Sequence, residues 1–286
     1  MIQAPLGCYW VNGMDGRRRL EQRNDPATRA LHGACPMGHP WTRCPACGDP
    51  LRWDMVRCTR FACTWRPRHE GPARYASRTG TERNLRELAR NGWRLLAAPD
   101  HWGRYRSPVP PWKFGLDNGA WTARDGGMFD TAAFERSVDA IGGLADWIVL
   151  PDVVCGGPAS LDLSLSWLPR LEHLGVLLLL PVQDGMEVEQ IRTLIGPKVG
   201  IFVGGSTAWK EATMATWAAL ARERRTYVHV GRVNTQRRIA LCVAAGVDSF
   251  DGTSATVYAR NALPLAEATA DLAAQQRAQG VLWGIP

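Results

Sequence analysis

The sequence predicts an α/β chain in which a parallel β-barrel follows a small N-terminal metal-binding module. Three observations support this prediction: an ordinary globular composition, cysteines concentrated near the N-terminus, and short apolar runs that recur from residue 73 onward. Hydrophobic residues make up 45% and charged residues 21% of the 286 residues, which excludes a disordered chain, a collagen and a coiled coil. We expect a basic module over residues 1–70 and a catalytic domain over residues 71–286.

The positive charge is confined to the N-terminal part of the chain. Residues 1–80 contain 13 Arg and 6 acidic residues, whereas residues 81–286 contain 21 basic and 21 acidic residues. A basic end on a neutral body indicates an anionic polymer as partner, nucleic acid first. A solvated, Arg-rich surface is the alternative explanation.

The hydropathy pattern gives no sign of a membrane segment or a secretory signal. The longest purely aliphatic stretch is Val176–Leu180, whereas a membrane helix needs roughly 20 apolar residues. The N-terminus lacks a basic segment followed by a long apolar one. We therefore expect a cytoplasmic protein without a membrane partner.

Two cysteine pairs predict a structural zinc site in the N-terminal module. The candidate ligands are Cys44, Cys47, Cys58 and Cys63. Two residues lie between Cys44 and Cys47, and four lie between Cys58 and Cys63. Ten residues separate the two pairs, as in a zinc ribbon. Four thiolates leave no open coordination position, so this Zn²⁺ is expected to be structural. Cys35 and His39 lie just upstream at ligand spacing, and they could replace one of these pairs or hold a second ion. Buried free thiols are the other possibility.

From residue 73 onward, apolar runs alternate with amphipathic stretches, as in a series of βα units. The predicted strands are Arg74–Ser77, Arg94–Ala98, Phe114–Leu116, Trp147–Leu150, Val176–Val182, Val199–Val203, Thr226–Val230 and Val247–Phe250. The predicted helices are Glu82–Asn91, Thr131–Ile141, Ser160–His173, Glu187–Leu194, Ala208–Arg222, Thr235–Ala245 and Ala255–Gln275. About eight βα steps in roughly 210 residues predict a TIM-type (β/α)8 barrel with an N-terminal zinc-ribbon-like module. A doubly wound open sheet is the alternative.

Polar residues and glycines follow the predicted strands at the points where the strands end. The candidates are Asp117, Asp152, Gln183, Gly204, Gly205, His229 and Asp251. In a barrel these positions lie around one rim, where active sites of this fold class are found. A single acid after a strand is often only a helix cap, and the Gly204–Gly205 segment alone also suits phosphate binding. Three acids, a glutamine and a double glycine on one rim favour catalysis.

These rim motifs resemble the tRNA-guanine transglycosylase superfamily, and most closely its compact phage relatives of the DpdA type, which exchange guanine in DNA. The segment Leu116–Trp121 is similar to the family's aspartate-serine-glycine-glycine-phenylalanine motif, with Asn118 and Ala120 as departures. Residues 182–185 are similar to its valine-glutamine-glycine-glycine motif, and residues 246–251 to the segment that ends in its nucleophilic aspartate. The family's C-terminal zinc site is missing here.

The resemblance implies that guanine in DNA is exchanged for a 7-deazaguanine base such as preQ0. Asp251 would then be the nucleophile, and Asp117 the acid and base, with a pKa raised by the nearby carboxylate. Asp152, Gln183 and the backbone amides of Gly204 and Gly205 would bind the base. As a rim residue outside the core, Asp251 is expected to contribute little to stability.

Several alternatives remain open from the sequence. His229 is a candidate for substrate contact, or equally a core histidine bonded to a backbone carbonyl. The same chemistry on tRNA is the first alternative function, and a non-catalytic zinc-ribbon nucleic-acid-binding protein is the second. A phage-encoded protein of this kind would act in the host cytoplasm.

Overall fold

The computed structural model describes residues 71–77, 84–85, 87–88, 91–99, 113–123 and 129–282, together with two strands near the N-terminus. The chain divides into two compact units, Met1–Arg66 and Pro67–Pro286. In the first unit, strands β1 (Cys8–Asn12) and β2 (Arg18–Gln22) pair antiparallel, with Cys8 opposite Gln22. The sequence analysis had not predicted this hairpin.

The second unit contains a closed barrel of eight parallel strands, which confirms the predicted barrel over the open-sheet alternative. The strands are β3 (Ala73–Ser77), β4 (Arg94–Ala97), β5 (Phe114–Leu116), β6 (Trp147–Val149), β7 (Leu177–Val182), β8 (Val199–Val203), β9 (Val228–Val230) and β10 (Ser249–Gly252). Each strand pairs with the next along the chain, and β10 pairs with β3 to close the barrel. All eight carboxyl ends therefore lie at the same rim.

The apolar strands form because both of their faces are buried. In β7, Leu177 and Leu179 pack inside the barrel, whereas Leu178 and Leu180 pack outward against the helices. Side chains of a strand alternate between faces, so a run without polar residues satisfies both layers. This alternation also directs every second side chain at the rim into the barrel.

Helices follow the strands and cover the barrel. Their bounds are α1 (Ala120–Ala123), α2 (Thr131–Ile141), α3 (Pro158–Leu171), α4 (Val188–Ile191), α5 (Thr207–Glu223), α6 (Gln236–Ala245), α7 (Ser254–Val257) and α8 (Ala262–Leu282). Residues 84–85 and 87–88 of the predicted helix Glu82–Asn91 are also helical.

The C-terminal helix differs from its prediction. The sequence predicted one helix over Ala255–Gln275, but the structure ends α7 at Val257 and begins α8 at Ala262. Pro264 lies in the first turn of α8, where its missing N–H costs nothing, whereas it would disrupt the interior of a longer helix. None of the described helices is long and apolar enough to cross a membrane.

A buried ion pair lies at the amino-terminal end of the barrel, opposite the candidate site. Arg94 at the start of β4 lies 3.3 Å from Asp146, which precedes β6. The Tyr75 hydroxyl donates to the same carboxylate at 3.0 Å. These three side chains satisfy one another, so this end of the barrel is a closed structural layer.

Gly115 lies directly against a large buried side chain in the barrel interior. A Cβ atom added at this position in β5 would lie 2.2 Å from Cη2 of the buried Trp147 indole. The indole therefore packs directly on the glycine backbone, and no other residue type fits without moving it.

We predict that Gly115→Ala lowers the free energy of unfolding by about 1–3 kcal/mol, because the methyl group must displace Trp147. Gly143→Ala is the matched control, since a Cβ there meets nothing within 4 Å. Chemical denaturation of both variants measures the difference. Equal stability of the two variants would contradict this packing.

Candidate active site

The structure places six of the seven predicted rim residues at the carboxyl-terminal end of the barrel, and His229 one layer below them. Asp117 and Asp152 follow β5 and β6, Gln183 follows β7, and Gly204 and Gly205 follow β8. His229 lies within β9 and Asp251 within β10. Because the barrel is closed, residues separated by more than 130 positions in the sequence come together at one site.

The Asp251 carboxylate is buried and held at both oxygens. Asp251 is only 5% exposed to solvent. Its Oδ2 lies 3.0 Å from Nε2 of His229, and its Oδ1 accepts the backbone N–H of Arg232 at 3.1 Å. The expectation that Asp251 lies outside the core is therefore wrong, whereas its small contribution to stability stays a prediction. Truncation would leave two buried donors without a partner.

His229 lies beneath Asp251 and is fully buried. Its Nδ1 lies 2.7 Å from the Ser249 hydroxyl, and Phe202 stacks on its ring with centroids 5.1 Å apart. Burial lowers the pKa of His229, so the ring is neutral. A neutral ring that donates from Nε2 to Asp251 accepts the Ser249 hydroxyl at Nδ1.

This placement confirms the core position suggested for His229, but neither the substrate contact nor the backbone-carbonyl partner. The ring is enclosed within the barrel, so it does not face the mouth where a base or phosphate would enter. Its partners are side chains, Ser249 and Asp251, and not a backbone carbonyl. In the structure, His229 orients Asp251.

Asp117 has the most perturbed carboxyl group at the rim. Burial, followed by the charges of Asp251 and Asp152, raises its pKa to about 7. The backbone N–H of Asn118 donates to Oδ1 at 2.9 Å and opposes this rise. At neutral pH this group therefore exists in both protonation states, which suits a residue that gives and takes a proton.

Asp152 is held by two side-chain amides. Nδ2 of Asn118 donates to Oδ1 at 2.7 Å, and Nε2 of Gln183 donates to Oδ2. Burial raises the pKa of Asp152 to about 6, while these two hydrogen bonds lower it. Asn118, one of the departures from the family motif, thus connects the ends of β5 and β6.

The glycine amides are already paired within the protein. Gly204 N–H donates to the carbonyl of Val182 at 3.0 Å, and Gly205 N–H donates to Oε1 of Gln183 at 2.7 Å. The expectation that both amides are free to bind a base is not met in this structure. A base that uses the Gly205 amide must first displace Gln183 from it.

Arg232 covers the mouth of the site. Its guanidinium lies 4.0 Å above the ring of Trp121 and donates to the Gly205 carbonyl. Its backbone has a φ of 59°, which is uncommon for a residue other than glycine. The neighbouring Arg237 and Arg238 form ion pairs with Glu211. Of these three arginines, Arg232 is therefore the one that contacts residues of the site.

Sequence reasoning missed several residues that support the site: Asn118, Ser249, Lys210 and the backbone of Arg232. Their roles depend on contacts across the barrel and leave no signal in local spacing. Only the alternation within β10 pointed to Ser249, since it places Ser249 and Asp251 on the same face.

The predicted zinc ligands lie outside the described residues. This applies to Cys44, Cys47, Cys58 and Cys63, and also to Cys35 and His39. Among the residues that the structure does describe, no group of three or more His, Cys, Asp or Glu side chains is arranged to hold a metal ion.

No protein-family model matches the chain, and no curated protein matches it significantly. The assignment of function therefore depends on the geometry of the rim and on the motifs of the sequence.

We predict that Asp117→Asn raises the melting temperature at pH 8 by roughly 2–4 °C for each kcal/mol of burial and repulsion cost that it removes. The folded-state pKa of about 7 lies above the usual 3.8, so the wild type loses stability as the pH rises between these values. At pH 4 the variant and the wild type should therefore melt together. Scanning calorimetry at both pH values, with the exposed Asp139→Asn as control, measures this. A pH-independent difference would contradict the raised pKa.

Proposed function

We propose that this protein is a base-exchange transglycosylase that replaces guanine in DNA with a 7-deazaguanine base. The observation that carries the proposal is the set of three carboxyl groups at one rim, each in a different environment. Asp251 is fixed at both oxygens, Asp117 has a pKa raised to about 7, and Asp152 is held by two amides. The rim motifs resemble those of guanine transglycosylases, which supports this assignment of roles.

Asp251 acts as the nucleophile in this mechanism. One carboxylate oxygen attacks C1′ of the target nucleotide, the C1′–N9 bond breaks, and a covalent glycosyl-enzyme forms. His229 and the Arg232 N–H hold the carboxylate in one orientation, so little rotational freedom is lost on the way to the transition state. The incoming base then attacks C1′ and releases Asp251.

Asp117 transfers the proton in both half-reactions. The protonated carboxyl group gives its proton to the departing guanine, and the resulting carboxylate takes a proton from the incoming 7-deazaguanine. A pKa of about 7 allows both directions at neutral pH, since neither protonation state is scarce. The total number of protons on the enzyme is unchanged after one exchange.

Asp152 and Gln183 recognise the base. Asp152 accepts hydrogen bonds from N–H groups of the base. The Gln183 amide has a second N–H, which donates to the carbonyl oxygen of the base. Both side chains are almost completely buried, so a base without matching groups leaves them unpaired. The target nucleotide must leave the helical stack to reach them.

The N-terminal module binds the nucleic acid in this proposal. The charge of +7 within residues 1–80 favours a polyanion, and Zn²⁺ held by the two cysteine pairs would stabilise a unit with little core. The missing C-terminal zinc site of the tRNA enzymes favours DNA over tRNA as substrate. A DNA substrate also favours a cytoplasmic location, in the host if the protein is phage-encoded.

Exchange of labelled guanine into DNA and into tRNA tests the proposal directly. Mass spectrometry of nucleosides after incubation with candidate 7-deazaguanines identifies the inserted base. Incorporation into DNA supports the proposal, and incorporation into tRNA alone supports the alternative substrate. Tight nucleic-acid binding without exchange under any condition favours the non-catalytic alternative.

We predict that Asp251→Asn lowers the rate of exchange by about 1,000-fold or more, because the amide cannot form the glycosyl-enzyme. Asn has the same shape, so one acceptor for the buried donors remains. Asp248→Asn is the matched control, since its carboxylate accepts the Val228 N–H at 2.9 Å at the other end of β10. Denaturing gel electrophoresis should detect a covalent DNA adduct with the wild type and with Asp248→Asn only. Near-normal turnover of Asp251→Asn would remove this residue from the mechanism.

We predict that the purified protein contains about one zinc per chain and that Cys44→Ser loses it. The variant module should unfold while the barrel keeps its affinity for free 7-deazaguanine, because metal binding and folding are coupled in so small a unit. DNA affinity should fall and its dependence on salt should weaken, since fewer phosphates are neutralised.

Elemental analysis and DNA titrations at several salt concentrations measure both effects, and Cys155→Ser serves as the control for zinc content. Absence of zinc in the wild type would refute the metal site. Full DNA affinity with an unchanged salt dependence in Cys44→Ser would refute its role in DNA binding.

A further inference from the structure

Lys210 is a buried cation next to the site that the mechanism above does not use. It is 3% exposed and lies in the first turn of α5. The chain has 34 basic residues, of which only Lys113, Lys198 and Lys210 are lysines. A buried lysine in a chain that otherwise uses arginine calls for a specific explanation.

The location of Lys210 is unfavourable for stability. The N-terminus of a helix carries a partial positive charge, which repels a cation in its first turn. Arg232 and Arg238 add to this repulsion, and burial itself disfavours the ammonium. Asp251 is the nearby group of opposite charge that the ammonium faces at the rim. A side chain placed at such a cost is more readily explained by function than by folding.

The Lys210 ammonium contacts the nucleophile through one peptide group. Nζ donates to the carbonyl oxygen of Gly231. The N–H of the same peptide group, which belongs to Arg232, donates to Oδ1 of Asp251 at 3.1 Å. A cation at the carbonyl end polarises the peptide and strengthens donation from its N–H. The positive φ of Arg232 shows that this peptide is held in an uncommon orientation.

We propose that Lys210 is a positioning residue for Asp251, which it orients through the Gly231–Arg232 peptide. This inference rests on the proposed function, in which Asp251 is the nucleophile. Lys210 fixes the oxygen Oδ1, while His229 fixes Oδ2 from below. The two contacts define the plane of the carboxylate and hence its line of attack on C1′.

The first test is the variant Lys210→Met, whose unbranched side chain is one atom shorter and lacks both the charge and the donor. We expect kcat for exchange, and the single-turnover rate of adduct formation, to fall by about 10- to 100-fold, as for a small misplacement of a reacting group. Affinity for free 7-deazaguanine should stay within about 2-fold, because Asp152 and Gln183 bind the base. A loss of affinity with unchanged kcat overturns the proposal.

Lys198→Met is the matched control, because the exposed Lys198 precedes β8 at the opposite end of the barrel. The same substitution there should leave kcat and base affinity unchanged. Turnover of Lys210→Met within about 2-fold of Lys198→Met overturns the positioning role.

A second test needs neither activity nor the Lys210 variant. With ¹³C-labelled lysine, the three lysines give three sets of side-chain NMR signals, and Lys113→Met and Lys198→Met identify the remaining one as Lys210. Burial, with the repulsion of Arg232 and Arg238, lowers the pKa of Lys210 to about 8, while Asp251 and Cys242 raise it. We expect Asp251→Asn to lower it further, because an attractive charge is removed.

The two tests separate the proposal from the proposed function. Failure of the wild type to exchange bases in any nucleic acid would refute the function, and the NMR titration would then decide the contact between Lys210 and Asp251. A Lys210 titration that does not change in Asp251→Asn overturns the proposal, whether or not the protein is active.

Discussion

Three carboxyl groups share the carboxyl-terminal end of one barrel, and their burial, together with the repulsion that Asp117 experiences from the other two, is the constraint on which the rest of the site depends. Each carboxyl group meets it differently. Asp117 has its pKa raised to about 7, Asp152 accepts two side-chain amides, and Asp251 accepts His229 and a backbone N–H. In the proposed function, these different environments allow one rim to hold an acid, a binding group and a nucleophile together.

The packing beneath the rim makes this separation possible. Trp147, Phe202 and Tyr75 surround His229, with the Trp147 ring centroid 4.6 Å from that of the imidazole. This aromatic layer excludes water from below, so the ring stays neutral and can donate a single hydrogen bond to Asp251. Gly115 is part of the same arrangement, because only its bare backbone leaves room for the indole that forms the layer. Barrel packing and the chemistry of the rim are therefore connected through a few side chains.

The strands and their ends could be predicted from the sequence, whereas the partners of the rim side chains could not. The run at β7 shows a strand buried on both faces, and period-2 alternation places Asp117 and Asp251 inside the barrel. The contact of Gln183 with Asp152, or of Lys210 with Gly231, depends on the register between strands and on the helix that follows. These distances arise only when the barrel closes. The division of the last helix, by contrast, has a local signal in the sequence, namely Pro264.

The pairing of polar groups with one another has a consequence for selectivity. Gln183 donates to Asp152 and accepts the Gly205 N–H, so both side chains already have hydrogen-bond partners within the protein. In the proposed function, a base that enters must replace these bonds with its own donors and acceptors. A ring that lacks one of them leaves a buried group unpaired, at a cost of about 1–3 kcal/mol, which is roughly 5- to 150-fold in affinity. The hydrogen bonds within the protein thus compete with those that a base would form at the same groups. A purine-like ring with several polar edges can form them, whereas an apolar ring of the same size cannot.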